Sequence, residues 1–400
     1  QLKCCQMKNE WKSPKTIFGN VATGKYYYPR TDIVEEIWNE LEKGSFVLLA
    51  APRRVGKTSV LRDLEQNPRK PYRTKFQSVQ AVQSAEEFYK TIYDLIVTCF
   101  NSSKRLGEWF KKYLQSRTVS EVTIEGSVKF EKKTFPYQDE INKLLLKFDD
   151  SIKETVVLLL DELPEVLHRL DQKGKKDEAL SILSQLRVWR QNDFKKLQFV
   201  FAGSIGIHYV VKTITGRVSD INDLVKVICA PLNEMEAKDY IQWATEDASI
   251  QYDDDLMEYL LKKIQHYFTP YFLNLMLGEI DKTAKKQGNT EITSLEIDTA
   301  FNKIVKSNDY FKDWKKRLED YMPNEDFLFV NEILIHIAHK DVISIQAIYD
   351  KATKYGKETD YMDFINDLEE DGYIITDVDG NFQFISPFLK VFWKNNQPVY

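Results

Sequence analysis

Gly56, Lys57 and Thr58 stand together in the stretch APRRVGKTS, between a short apolar run and a segment of helical spacing. Residues of these types can grip a phosphate. Backbone N–H groups and the N-terminus of the next helix surround the anion, a lysine neutralises its outer oxygens, and a hydroxyl ligates magnesium. The spacing matches G-x-x-x-x-G-K-[ST] except at the first position, where Ala51 replaces glycine and Pro52 follows. Proline pushes its predecessor into extended backbone with negative φ, which alanine occupies without strain. Ala51 is therefore an admissible exit from a strand. Gly56 has to stay, because the backbone approaches the phosphates there and a Cβ is expected to collide. Pro52, Arg53, Arg54, Val55, Gly56, Lys57, Thr58 and Ser59 are the candidate nucleotide-binding residues, with Lys57 also serving catalysis and Thr58 the metal.

A second pair fits the same chemistry. VVLLLDE puts Asp161 and Glu162 at the end of an apolar run. The first carboxylate can reach magnesium and the second can take a proton from an attacking water. Acids also favour the first turn of any helix, and a strand-loop-helix bearing GKT also occurs as a plain structural turn. Two independent motifs, each at the end of an apolar strand, point to nucleotide binding. LQFVFAGS contributes Ser204, either as a polar contact near a γ-phosphate or as the N-cap of the helix beginning IGIHYVV. Catalysis in this class uses an arginine that cancels charge on the transferring group, often from a neighbouring subunit. Arg217, in TGRVSD, is the candidate, with Arg187 and Arg190 behind it. Arg53 and Arg54 can pair with carboxylates or with phosphates.

These residues need strands to carry them. Apolar runs of strand length recur at 46–51, 75–79, 155–160, 197–202 and 225–232, separated by helical periodicity at 86–99 and 178–189. Continuous apolar strands alternating with helices imply a parallel sheet covered on both faces. Residues 118–131, TVSEVTIEGSVKFE, alternate with period two and suit an inserted hairpin. After Pro231 the strand signals stop, and helices are expected over 234–248, 254–265, 270–286, 294–306 and towards Met322. From Asn324 the pattern becomes two helices (327–339, 345–354), then DYMDFINDLEEDG, then two alternating strands joined by Asp379-Gly380. That is the order of a winged helix.

Bulk properties bound the rest. A chain of 400 residues with 43% hydrophobic content needs two or three packed domains. A net charge of −5 argues against a surface devoted to nucleic acid or anionic membrane. Four scattered cysteines (Cys4, Cys5, Cys99, Cys229) and five histidines form no metal-ligand spacing. The apolar runs are far shorter than the roughly 20 residues a membrane span needs. A soluble, cytoplasmic protein in a reducing compartment is expected, and the opening QLKCCQ is given no weight.

With these residues in hand, the chain resembles the archaeal-type P-loop ATPases, relatives of the AAA+ and STAND NTPases, over most of residues 15–395. The resemblance rests on YPRTDIVEEIW, APRRVGKTS, LLLDELPEVL, FVFAGSIGI, INDL, APLNEMEA, HYFTPYFLNLM and DGYIITD with FISPFLKVFW. It implies an α/β fold with a P-loop NTPase parallel sheet of the additional-strand type. It also implies a P-loop ATPase domain at 15–232, a helical lid domain at 233–322 and a C-terminal winged-helix domain at 323–400. ATP and magnesium are the implied cofactors. Arg30 is implied to approach the nucleotide, and Pro270 to match the lid proline that packs near adenine. Ala51 departs from the pattern, Pro29 stands where glycine is commoner, and no arginine follows Ser204 or lies near Pro270 as a second sensor. Slow or partner-dependent hydrolysis follows as the expectation.

The winged helix invites a DNA-binding reading, but residues 325–400 hold six lysines and no arginine against 14 acidic residues, a balance of −8. Phosphate neutralisation needs the opposite sign. Any nucleic-acid surface would lie elsewhere, around 104–112 or 303–317. A nucleotide-dependent switch acting on a protein partner or its own copies is therefore favoured over a DNA-associated ATPase. A small-molecule kinase is the third reading, disfavoured because Asp-Glu at a strand end suits water activation.

Overall fold

The computed structural model describes residues 10–101, 104, 107–112, 136–149, 153–191, 194, 196–203, 207–217, 219–265 and 267–397. The hairpin expected at 118–131 and the candidate Ser204 lie outside the described residues. The chain divides into two compact units. A sheet unit comprises Arg30–Ala50 and Val60–Ile228; a helical unit comprises the segment before Arg30, the loop Ala51–Ser59, and everything from Cys229.

In the sheet unit, β1 (Phe46–Ala50), β2 (Tyr72–Ser78), β3 (Thr155–Asp161), β4 (Leu197–Ala202) and β5 (Leu224–Ile228) lie parallel in the order β2-β3-β4-β1-β5. β4 thus separates β1 from β3, the additional-strand arrangement that the resemblance implies. Every residue of β3 and β4 is buried, which is why both read as unbroken apolar runs. Helices pack on the sheet, among them Thr31–Glu42 against β1 and β5 and Ala85–Asn101 against β2 and β3. Register aligns Ser78 with Asp161, Asp161 with Ala202, and Ala202 with Leu49. Four strands therefore end in one row, and the loops that follow β1, β3 and β4 leave from the same edge. β5 stops at Ile228, short of the expected 232. Pro231 has no N–H to continue a ladder, and Leu232 instead donates its N–H to Phe268 at 2.8 Å.

In the helical unit, capping signals fix the starts. Asn233 with Glu236 and Thr293 with Glu296 form capping boxes, opening the helices Glu234–Thr245 and Ser294–Lys306. Asp253 and Thr269 cap Asp254–Ile264 and Pro270–Gln287. The helix expected to reach 248 ends at Thr245 because the Ala244 carbonyl accepts from Lys15 N–H at 2.7 Å, and Ser249 N–H donates to Lys12. A further helix, Lys312–Tyr321, precedes Asn324–Lys340, Ile345–Tyr355 and Tyr361–Glu370. Next come β6 (Ile374–Thr376), β7 (Phe382–Phe384) and the helix Pro387–Asn396. β6 and β7 are antiparallel, and Ile343 exchanges two 2.9 Å backbone hydrogen bonds with Phe382. A single bridge residue between the first two helices that pairs with the hairpin's second strand gives winged-helix connectivity. Phe272 stacks on Phe388 with centroids 5.0 Å apart, so the helices before and after residue 323 share one core. Among the described residues no helix is long and apolar enough to cross a membrane.

One ion cluster ties the winged helix together. Glu332 accepts hydrogen bonds from Lys351, Lys354 and the Tyr355 hydroxyl at 2.9, 2.9 and 2.6 Å. Burial pushes its carboxyl up, but these three donors outweigh it and hold the pKa at about 2, against an ordinary 4.5. A depressed carboxyl stabilises the fold above its unfolded pKa and loses that contribution as pH falls through the folded value. Glu332→Gln should therefore cost about 1 kcal/mol at pH 7. In urea titrations the wild type should converge on the variant as pH drops from 4.5 towards 2.

Candidate nucleotide site

The loop that leaves β1 carries three cations, Arg53, Arg54 and Lys57. Ala51 does not adopt a positive φ, as its proline neighbour requires, whereas Arg54 (φ 63°) and Gly56 (φ 106°) both do. Gly56 is needed for that backbone conformation; no protein atom lies within 4 Å of where its Cβ would be. Within the protein itself, the reason for glycine at this position is therefore conformational. Arg54 carries a Cβ at positive φ and stores strain in the loop. Lys57 is only 7% exposed and its ammonium donates to the carbonyls of Ala51 and Pro52 at 2.8 and 3.2 Å. An ammonium curled onto its own loop sits where successive carbonyls, the negative ends of peptide dipoles, hold it. Val60, Leu61 and Leu64 are fully buried, so the helix Lys57–Gln66 is anchored by the periodicity that predicts it.

The rest of the helical unit grips this loop. Tyr267 donates its hydroxyl to the Arg53 carbonyl at 3.1 Å. The Arg53 guanidinium donates to the Asp313 carbonyl at 3.1 Å and lies 5.5 Å from the Trp314 ring. Burial lowers the Arg53 pKa, and Arg317 nearby lowers it further. Arg54 stacks 4.0 Å over Tyr271 and sits 3.9 Å from the Asp313 carboxylate. Pro270, at the first turn of its helix, therefore lies between two tyrosines that touch the loop arginines. Gly372 (φ 78°) follows the helix Tyr361–Glu370; a Cβ there would come within 2.6 Å of the Tyr267 hydroxyl and 2.8 Å of Pro52 Cβ. Only glycine allows that approach.

In the sheet unit, Asp161 closes β3 with 3% exposure, and its carboxylate accepts from Glu162 N–H at 3.1 Å. Glu162 also donates its N–H to Ala202 at 2.9 Å and adopts a left-handed conformation (φ 63°, ψ 33°) ahead of the helix Leu163–Gln172 without capping it. A non-glycine residue held there is strained. Its side chain is thus not a helix-start acid of the ordinary kind. Gly203 makes room for Pro164, whose ring would lie 2.5 Å from a Cβ at that position. The arginines separate clearly. Arg190 is buried in a two-pronged pair with Asp223 at 2.7 and 3.0 Å, a structural role. Arg187 bonds Asp220 at 2.8 Å. Arg217 has its side chain 68% exposed and stands 3.6 Å from Asp220. Arg30 is buried at the start of the helix Thr31–Glu42.

Sequence reasoning missed Arg317, Asp313, Asp371 and the two tyrosines. One signal was available: Arg317 is the only arginine after Arg217 in a stretch otherwise rich in lysine, and arginine is the cation preferred at buried and phosphate-binding positions.

A parallel sheet in this strand order, with GKT after β1 and Asp-Glu after β3, defines a P-loop NTPase fold of the additional-strand type with a C-terminal winged helix. Among solved structures, the chain is similar to the Walker-type ATPase PABY2304 of Pyrococcus abyssi. The TM-score is 0.59 at 15% identity, over 94% of this chain and 99% of that one. It is also similar to the ORC2 protein of Aeropyrum pernix, with a TM-score of 0.51 at 11% identity, over 97% of this chain and 96% of that one. No protein-family model and no curated protein matches the sequence.

Proposed function

We propose that the chain is a Mg-ATP-binding P-loop ATPase that acts as a nucleotide-dependent switch. Its hydrolysis is slow or partner-stimulated, and it signals in the cytoplasm to a protein partner or to its own copies. The observation that carries this reading is the grip on the loop. Tyr267, Tyr271 and Asp313 hold Arg53 and Arg54, so whatever the loop binds is felt by the helices that hold it. The Aeropyrum pernix protein was solved as ADPNP–ADP complexes, which favours an adenine nucleotide.

The residues present fit such a ligand: cations at Arg53, Arg54 and Lys57 on a strained loop, and a buried carboxylate at a strand end. Pro52 to Ser59 would hold the phosphates, with Arg30 and Pro270 near the nucleotide. Thr58 and Asp161 would hold magnesium, which when bound supplies charge neutralisation between the phosphates. Glu162 takes a proton from water and Ser204 orients polar atoms near the reacting phosphate. Arg217, exposed and weakly paired, suits a role in a neighbouring copy of the chain. The division into 15–232, 233–322 and 323–400 is retained as the functional one.

The full chain incubated with ATP and magnesium, without any acceptor, should release phosphate slowly and elute at a larger size than without ATP. Phosphate transfer only when a small-molecule acceptor is added would replace this reading with a kinase. Absence of ATP binding by calorimetry would end it.

A further inference from the structure

Arg317 lies on the helix Lys312–Tyr321 with its side chain 6% exposed. Both terminal nitrogens of its guanidinium are buried without a hydrogen-bond partner among the described residues. The Asp371 carboxylate faces it at 3.6 Å, which is ion-pair range but too long for a hydrogen bond. A buried guanidinium left this way is costly, because desolvation is offset only by well-formed charge-assisted bonds. Burial raises the Asp371 pKa, and the neighbouring Arg317, Lys57 and Arg53 oppose that rise without cancelling it. Two of those cations belong to the phosphate loop. The Arg317 donors are thus left unsatisfied beside a carboxylate whose own burial is only partly offset.

The backbone at Asp371 and Gly372 is also in contact with the loop. The Asp371 carbonyl faces Arg53 N–H at 3.5 Å, and Gly372 is pressed against Pro52. The end of the helix Tyr361–Glu370 and the start of the loop thus sit in direct contact. A tetrahedral anion with several oxygens would satisfy the Arg317 donors in a way that a single carboxylate at 3.6 Å does not.

We propose that Asp371 is a stand-in anion: a phosphate group of the bound nucleotide takes over Arg317 from it, and the displaced Asp371 releases the winged helix from the phosphate loop. This rests on the nucleotide reading above. Arg317 is then a phosphate-contacting residue supplied from outside the loop, and Asp371 is the competitor that couples occupancy to winged-helix position. No covalent step is involved.

The test uses the full chain, calorimetric titration with Mg-ATP, and hydrogen exchange of residues 361–372. Asp371→Asn removes the competing charge and should tighten ATP binding about tenfold. Arg317→Gln should weaken it at least about tenfold, with Arg317→Lys recovering part of the loss because charge is kept and the fork is not. ATP should speed amide exchange at 361–372 in the wild type and fail to do so in Arg317→Gln. Thermal melts check folding; if Arg317→Gln melts below the assay temperature, Asp371→Asn and wild-type exchange decide. The inference is overturned if the wild type binds ATP while Asp371→Asn binds equally or more weakly, or if Arg317→Gln binds and exchanges like the wild type. A wild type that binds no ATP removes the nucleotide reading itself, a result recognisable before any variant is made.

Discussion

Lys57→Ala should weaken Mg-ATP binding by about 100-fold or more while leaving the fold intact. In the free chain the ammonium holds the Ala51 and Pro52 carbonyls at 2.8 and 3.2 Å, two hydrogen bonds of modest net value because water can replace them. Against a phosphate the same ammonium is a charge-assisted donor in a site where it is already largely desolvated. Losing about 3 kcal/mol of that interaction is a factor of about 100 or more in Kd. The thermal midpoint should move by no more than a few degrees, because the two carbonyl hydrogen bonds are of modest net value. Calorimetry and a thermal melt on one preparation separate the two effects. A variant that binds ATP within threefold of the wild type would remove Lys57 from the phosphate site.

The parts of this architecture that were legible in sequence share a cause. β3 and β4 are buried on both faces, so every residue carries the signal, and the bounds read from sequence agree with the structure to within a residue. β2 carries polar residues in YRTKFQS, so only its second half stands out as a strand. The caps at Asn233, Asp253, Thr269 and Thr293 act over three residues and are visible in any window that holds them. The truncation of Glu234–Thr245 was not visible, because the competing donor, Lys15 N–H, lies more than two hundred residues away in sequence.

The site divides along the same line. GKT and Asp-Glu declare themselves because the chemistry is local to a loop. The grip on Arg53 does not: its partner Asp313 is 260 residues away, and nothing about a DWKKR stretch distinguishes a solvated helix from one turned inward. Asp371 illustrates the cost. It counts among the acids of residues 325–400 that weigh against DNA, yet its carboxylate faces Arg317 at 3.6 Å. The charge count over 325–400 is the same, but one of its charges lies beside a buried arginine.

Glu162→Gln should bind Mg-ATP within about threefold of the wild type and turn it over about 1,000-fold more slowly. General-base help contributes about 10² to 10⁴ in rate, and the amide keeps the shape and polarity of the carboxylate while losing its basicity. The backbone adds weight to the assignment. Glu162 is held at φ 63° with its N–H fixed by Ala202 and Asp161, and its side chain makes no cap on the helix that follows. An acid serving only as a helix start would sit in extended backbone and bond the first turn. Strain maintained at a carboxylate beside a buried aspartate is the observation that motivates this prediction. Because Gln adopts that conformation at the same cost as Glu, stability should not change, and any loss of turnover reports on the proton-accepting oxygen. Hydrolysis at the wild-type rate in Glu162→Gln would show that the water is activated elsewhere.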